Sequence, residues 1–505
     1  MRILPCAVLM ATSMALLPGC SGTSRPSFVD QGARGDRSKA PDREARYREA
    51  MRVYGEFGWL PRKYPGYRPE MREVLRYFLH QSNDRRVPDP AIIDRIMASR
   101  PLVGLLRKAV SGRDLSGLKA ICQEAGCSSG EDQLPVHLIN AVLLAGDPHA
   151  RFLSVEDQAS LASRVSGVGE GAGVSLANKD GAVEISSVQD GSPGKGAVSA
   201  GERVVAVKGQ DGGWRSPDLD EDGVRLKKPG KAMQVKVSSA GKVREVALDR
   251  TLWKDAAMRP SVSVAGGVPI LKIPIFYEGG QDPERLAVSP SAVDHDLAPM
   301  VSDLVATRSE WVAVDLRGNP GGVWATSLRA AGLFLPGRPF GSLDFGDRPA
   351  DVYLTPGSSS SPSPLSGRRV MVLVDESTAS GGEVFAAFLQ QAGACVVGPR
   401  TFGKGTFQSR SNVIWSGVSD VLGQVVVTSA LVRLADGEDL QLRGVIPDVR
   451  LVARPGVESE RDFTNAIMPP SGPVPVPDAR LHDRPSTDQG LVALAKRECP
   501  GSSFP

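Results

Sequence analysis

The 505-residue chain reads as a multidomain α/β protein: a helical N-terminal region, a small β domain, and an α/β domain built on a mixed sheet. Three changes of periodicity predict this. From Asp42 to about Arg164 apolar residues recur at helical spacing, as in Met71, Val74, Leu75, Phe78 and Leu79. From residue 166 to about 253, short runs with strand periodicity are punctuated by glycine turns. From Pro269 onward, unbroken apolar runs such as Val370 to Val374 alternate with amphipathic helices, the pattern of strands buried on both faces.

Composition narrows the function classes. Hydrophobic content of 41% is ordinary for a globular chain. A net charge of +3 gives no case for nucleic acid as a partner. No Cys/His cluster has metal-ligand spacing, so neither a metal nor a cofactor is expected.

At the N-terminus, Met1-Arg2 precedes an apolar run, Ile3 to Leu17, that is too short to span a membrane comfortably. It ends in Leu17-Pro18-Gly19-Cys20-Ser21, which resembles a bacterial lipobox. That resemblance implies a signal peptide over 1–20, lipid on Cys20, and a periplasmic protein anchored to the inner leaflet of the outer membrane. Pro18 is atypical of such a motif, and plain secretion is the alternative. Residues 21–40 are rich in Ser, Gly and charge and read as a flexible tether. Export also permits a small-loop disulfide between Cys122 and Cys127, which spacing alone does not establish. Cys395, inside an apolar strand, reads as a small buried hydrophobe.

The helical domain, 41–165, ends near Gly146-Asp147-Pro148-His149, where His149 is expected to make a structural hydrogen bond in the turn; Ser154-x-x-Asp157 then caps a further helix. The β domain, 166–253, runs through Gly171-Ala172-Gly173-Val174, Gly191-Ser192-Pro193 and Gly201-Glu202, an order that resembles a PDZ domain. Such domains add a C-terminal strand to a sheet edge and hold its carboxylate on backbone N–H groups. The resemblance implies a carboxylate loop at Gly171, Ala172, Gly173 and Val174. Gln210 to Gly223, rich in Gly and Asp, reads as a mobile loop.

The α/β domain, 254–455, carries the chemistry. Trp311 to Leu316 is a buried strand that leads into Arg317-Gly318-Asn319-Pro320-Gly321-Gly322. Val370 to Val374 leads through Thr378-Ala379-Ser380 into a helix that starts Gly381-Gly382-Glu383, and one strand later stands Thr401-Phe402-Gly403-Lys404-Gly405 with Gln408 beyond. A serine at a strand-to-helix turn needs a base, and none of the five histidines lies near in sequence. A lysine serves if apolar surroundings strip its charge, and Phe402 and Phe407 flank Lys404. Taken alone, such a pair is far more often a helix cap and a solvated turn residue. A phosphate loop is excluded because Gly405 stands where a hydroxyl would bind Mg²⁺.

These segments resemble the C-terminal processing (tail-specific) peptidases, serine proteases with a Ser/Lys dyad. Thr401 to Gln408 keeps that family's Thr-Phe-Gly-Lys-Gly-x-x-Gln unaltered, and Ser380 lies three residues before Glu383 as its nucleophile does. The resemblance implies Ser380 as nucleophile, Lys404 as base, Gln408 as its companion, and an oxyanion hole from Gly381 with Gly321 or Gly322. Within about 2.6 to 3.2 Å, Ser380 Oγ should reach Lys404 Nζ. Gly381-Gly382 replaces Ala-Ser, the Ser-to-Lys spacing is one residue short, and Gln391 stands where an aspartate is common. The substrates implied are proteins or peptides bound by their C-termini, with an adaptor protein as a further partner. A catalytically inactive PDZ adaptor or chaperone of the same fold is the alternative. A penicillin-binding type of hydrolase fails, because Ser380 lacks a lysine three residues on. Residues 456–505 read as a Pro-rich extended tail with a short helix from Asp488 to Arg497.

Overall fold

The computed structural model describes residues 43–83, 86–154, 158, 168–209, 211–226, 230–278, 292–415, 420–472, 480–499, 501 and 504–505. The expected signal peptide and tether, Cys20, and residues 155–157 of the expected Ser154…Asp157 cap fall outside them. Among the described residues no helix is long and apolar enough to cross a membrane.

The N-terminal region consists of α1 (Arg43–Phe57), α2 (Trp59–Lys63), α3 (Met71–Ser82), α4 (Pro90–Ala98), α5 (Arg100–Val110), α6 (Gly117–Ala125) and α7 (Leu134–Leu144). The apolar stripe of α3 faces inward, with Val74, Leu75 and Phe78 fully buried in one core with Leu138 and Ile139 of α7. Cys122 and Cys127 form a disulfide across the end of α6. After α7 the chain turns into β1 (Arg151–Leu153), and the turn is pinned by Asp147. Its Oδ1 accepts from the His149 N–H at 2.9 Å and its Oδ2 from the Thr428 N–H at 2.8 Å.

A second sheet follows, made of β2 (Val168–Gly171), β3 (Val174–Lys179), β4 (Ala182–Val188), β5 (Arg203–Lys208), β6 (Trp214–Arg215), β7 (Gly230–Ser239) and β8 (Lys242–Lys254). Its order is β2-β8-β7-β5-β4-β3, with β6 on β5, so β3 is an edge. Beside that edge lies helix α8 (Leu219–Leu226). The loop expected at Gln210 to Gly223 is therefore corrected. Asp222 is fully buried and takes both Arg215 guanidinium nitrogens, at 2.7 and 2.9 Å, which fixes the start of the helix in a segment whose composition suggests mobility.

The remaining chain supplies β9 (Ser261–Ala265), β10 (Val268–Lys272), α9 (Val293–Ala306), β11 (Trp311–Asp315), α10 (Trp324–Gly332), β12 (Pro339–Asp344), β13 (Asp351–Leu354), β14 (Arg369–Leu373), α11 (Gly381–Gln391), β15 (Cys395–Gly398), β16 (Thr406–Trp415), β17 (Asp420–Arg433), β18 (Val449–Leu451), β19 (Leu481–His482) and α12 (Asp488–Glu498). One sheet runs β19-β18-β15-β14-β11-β10-β9, parallel throughout except for β9. Residues alternate between its faces as the strand period demands. Val312, Val314, Val370 and Val372 meet α9, α10 and α11, while Ala313, Met371 and Val397 meet Leu491 and Val492 of α12. Both faces are covered, so the strands are apolar throughout.

A third sheet, β1-β17-β12-β13 with β16 on β17, joins the regions. Val425 and Val427 of β17 belong to the helical core, and Ala430 and Val432 to the α/β core. Two expectations are corrected here. Cys395 is not a lone hydrophobe but is disulfide-bonded to Cys499, 104 residues on, after α12 docks over β15. The stretch 456–486 is not simply extended, since it holds a 3₁₀ turn at Glu460–Asp462 and strand β19, while the expected helix forms as α12 and packs on the body. Leu481 and His482 extend the parallel ladder, pairing with Arg450 and Leu451.

Candidate active site

Strand β14 delivers the serine turn. Its chain leaves the sheet at Val374, whose N–H donates to Val397 O at 3.0 Å, and crosses to α11 through Asp375 to Ala379. Thr378 Oγ1 donates to Leu316 O at 2.9 Å and the Ala379 N–H to Asn319 O at 2.9 Å, which stitches this turn to the glycine turn after β11. Ser380 then stands at φ 53, ψ −122. A side-chain-bearing residue in that region is strained by about 1 to 3 kcal/mol and holds only where its surroundings over-determine it. This is the sharp strand-to-helix bend that presents a hydroxyl at the end of a sheet.

The determinant is Glu383. It is completely buried, and its carboxylate takes four donors. Oε1 accepts from Thr401 Oγ1 at 2.5 Å and the Gly403 N–H at 2.7 Å; Oε2 accepts from the Ser380 N–H at 2.8 Å and the Lys404 N–H at 2.9 Å. Burial pushes the Glu383 carboxyl above its ordinary pKa, although all these donors pull the other way. One side chain thus fixes both the serine bend and the lysine loop.

The Lys404 amine donates to Thr406 O at 3.0 Å and to Gln408 Oε1. Gln408 is held in turn by its Nε2, which donates to Thr406 Oγ1 at 2.9 Å. Burial lowers the Lys404 pKa to about 8; the negative charges of Glu460, Asp147 and Glu383 oppose the shift but are outweighed. The expected hydrogen bond is absent: among the described residues none joins Ser380 Oγ to Lys404 Nζ. The amine is turned instead toward its glutamine and the backbone carbonyl.

Gly321, Gly322, Gly381 and Ser380 come together. A Cβ on Gly321 (φ +100) would lie 2.8 Å from Ser380 Cβ and 2.9 Å from Gly381 N, an approach only glycine allows. The two candidate donors in this turn are not equivalent. The Gly321 N–H donates to Asn319 Oδ1 at 2.7 Å, while the N–H groups of Gly322 and Gly381 have no hydrogen-bond partner among the described residues. The Gly321 N–H is thus already engaged, and Gly321 serves the turn through its close approach to Ser380. Asn319 is itself fixed, completely buried with Nδ2 on Ile273 O at 2.8 Å. Gly382, which departs from the usual serine, would carry its Cβ 3.1 Å from Asn319 Oδ1, so the glycine lets the two turns close up rather than loosening them.

His149 makes the expected hydrogen bond in its turn through its backbone N–H, and its ring reaches outside the turn. Its Nε2 pairs with Glu460 Oε2 at 2.8 Å, while Asp147 holds the turn. Glu460 is fully buried; its Oε1 accepts from Gln441 Nε2 at 2.8 Å, and Gln441 Oε1 accepts from the Gly405 N–H at 2.8 Å. A tail residue thus braces the lysine loop from outside. Glu460 and Gln441 carry no motif, and only the structure identifies them; Glu383 was legible as a motif letter but not as the common anchor.

The Gly171–Val174 loop lies on the separate small sheet, between β2 and edge strand β3. Gly171 and Gly173 both take positive φ, 74° and 65°. The Ala172 N–H is engaged, donating to Leu226 O at the end of α8 at 2.8 Å. Among the described residues no group of His, Cys, Asp and Glu is arranged to hold a metal ion.

A strained serine turn and the loop of a desolvated lysine are thus anchored on one buried glutamate. Residues 268–451 match the model of peptidase family S41. It is 27% identical over 338 residues to the tail-specific protease of Haemophilus influenzae, a match covering 64% of this chain and 46% of that protein. It is 25% identical over 312 residues to the carboxy-terminal processing protease CtpA of Bacillus subtilis, covering 60% of each. The chain thus spans about half the length of the first relative and three fifths of the second. A solved structure of a photosystem II D1 C-terminal processing protease aligns with a TM-score of 0.43 at 18% identity, over 81% of this chain and 93% of its own.

Proposed function

We propose that this protein is a serine endopeptidase of the periplasm, tethered by lipid on Cys20, that captures protein C-termini through residues 166–253 and cleaves peptide bonds with Ser380 and Lys404. Ser380 Oγ attacks the scissile carbonyl while the neutral Lys404 amine takes its proton. The N–H groups of Gly381 and Gly322 hold the oxyanion. Lys404 then returns the proton to the leaving amine, and water releases the acyl-enzyme. Gln408 orients the amine. In the small sheet, an incoming strand would add to β3 beside α8, with its carboxylate at Gly171 to Val174.

The observation that carries this reading is the single Glu383 oxygen shared by the amides of Ser380 and Lys404. The test is cleavage of an unstructured polypeptide, together with labelling by a fluorophosphonate probe. Ser380→Ala and Lys404→Ala should each abolish turnover while the fold is retained; undiminished hydrolysis by either purified variant refutes the assignment.

One observation favours a second reading, an inactive adaptor or chaperone of the same fold: Lys404 Nζ is bonded to Gln408 and Thr406 rather than to Ser380. Unlabelled wild-type protein that still binds C-terminal peptides would support that reading.

A further inference from the structure

A cleft of about 380 Å³ opens on the Arg400–Thr401 flank of the lysine loop. Arg400, Arg450, Arg454 and Arg461 line it, together with the apolar Ile446 and Leu451. Arg454 is matched by Asp375 and Glu376, at 3.1 and 3.2 Å. Arg400 and Arg461 are not so matched. Among the described residues neither forms an ion pair; both donate to backbone carbonyls. Arg400 Nε reaches Arg443 O at 2.7 Å and its Nη2 reaches Leu442 O at 2.8 Å, while Arg461 Nη1 reaches the same Leu442 O at 3.3 Å and its Nη2 reaches Thr401 O at 3.1 Å. Two guanidinium groups therefore meet at one carbonyl oxygen.

The Arg443 side chain adds a third charge, and its Nε is a buried donor without an acceptor. Burial and the cations of Arg461, Arg443 and Arg450 push Arg400 down to about 10, against the pull of Glu383. The carboxylates that face Arg461 are Glu383, Asp462 and Glu460. Each has its hydrogen bonds elsewhere: Glu383 on four donors, Glu460 on His149 and Gln441, Asp462 on Ser459. Clustered arginine forks of this kind match planar or tetrahedral oxyanions. The apolar side of the cleft accommodates a few carbons, and its volume is at the small end of ligand pockets.

We propose that this cleft binds a small amphiphilic anion: a carboxylate or phosphate seated between the Arg400 and Arg461 guanidinium groups, with a short apolar body along Ile446 and Leu451. Ser380 and Lys404 do not line the cleft, and the proposal does not depend on the peptidase reading.

Isothermal titration calorimetry on the full chain in detergent, at fixed ionic strength, tests it with hexyl phosphate, hexanoate and hexanol. One hexyl phosphate or hexanoate should bind per chain and hexanol should not. Arg461→Gln and Arg400→Gln should each weaken binding about tenfold, the scale of one charge-assisted hydrogen bond. Circular dichroism checks the fold, and if one variant is misfolded, the other carries the test. Absence of heat with either anion, equal binding of hexanol, or unchanged affinity in the folded variants overturns the proposal. Ser380→Ala protein should give the same isotherm, which separates failure here from failure of the peptidase reading.

Discussion

The backbone N–H groups of Ser380 and Lys404 donate to one oxygen, Glu383 Oε2, at 2.8 and 2.9 Å. The residues are 24 positions apart and on different elements, yet their separation is set by one carboxylate. A carboxylate is the right group here because it only accepts, and all four of its neighbours donate.

Glu383→Gln should therefore be damaging despite its near-identical shape. The amide brings an NH₂ against two donors, leaving buried groups unpaired at about 1 to 3 kcal/mol. The expected outcome is a lower Tm and a fall in kcat of at least tenfold with a smaller change in KM, measured by thermal unfolding and steady-state cleavage.

The Lys404 pKa of about 8 predicts the pH profile. In the proposed mechanism the neutral amine is the base, so kcat/KM should rise about tenfold per pH unit below that value and level off above it. The native state holds this proton less tightly than the unfolded chain, so the lysine's contribution to stability should increase as pH climbs from about 8 toward the ordinary 10.5. Lys404→Arg should be inactive at every pH, since arginine stays charged. A flat profile between pH 6 and 9 would remove Lys404 as the base.

Gly321→Ala should abolish cleavage while leaving the small sheet and its peptide binding intact. The added methyl would press on Ser380 Cβ at 2.8 Å and on the Gly381 amide at 2.9 Å, and it would sit at a φ that alanine disfavours. Loss of probe labelling with retained binding of a C-terminal peptide is the expected pair of readings.

Glu460→Ala should act on the lysine loop from a distance. It leaves His149 and Gln441 without their buried acceptor, at about 1 to 3 kcal/mol each. Turnover should drop and Tm should fall; Glu460→Gln should recover part of the stability, because one acceptor oxygen is retained.

The fold was legible wherever a local pattern decided it. The stripe on α3 and the runs Trp311–Leu316 and Val370–Val374 each declare their element through spacing alone. The segments that hold Ser380, Lys404 and Gln408 stand out in the sequence through their neighbours, and the structure ties Ser380 and Lys404 to one carboxylate. What remained hidden depended on contacts between distant residues. Nothing local to Cys395 announces Cys499, and nothing near Glu460 announces His149, 311 residues earlier. The helix at Leu219–Leu226 was hidden differently: the pairing of Arg215 with the buried Asp222 outweighs a Gly- and Asp-rich composition. The choice between Gly321 and Gly322 needed the Asn319 side chain, which no spacing reveals.

The Cys395–Cys499 bond has a further consequence. It encloses the lysine loop, Glu460 and the Pro-rich stretch in one covalent ring. A single backbone cut anywhere inside that ring would leave both fragments attached, so self-nicking would pass unseen on a non-reducing gel and appear only once thiol is added.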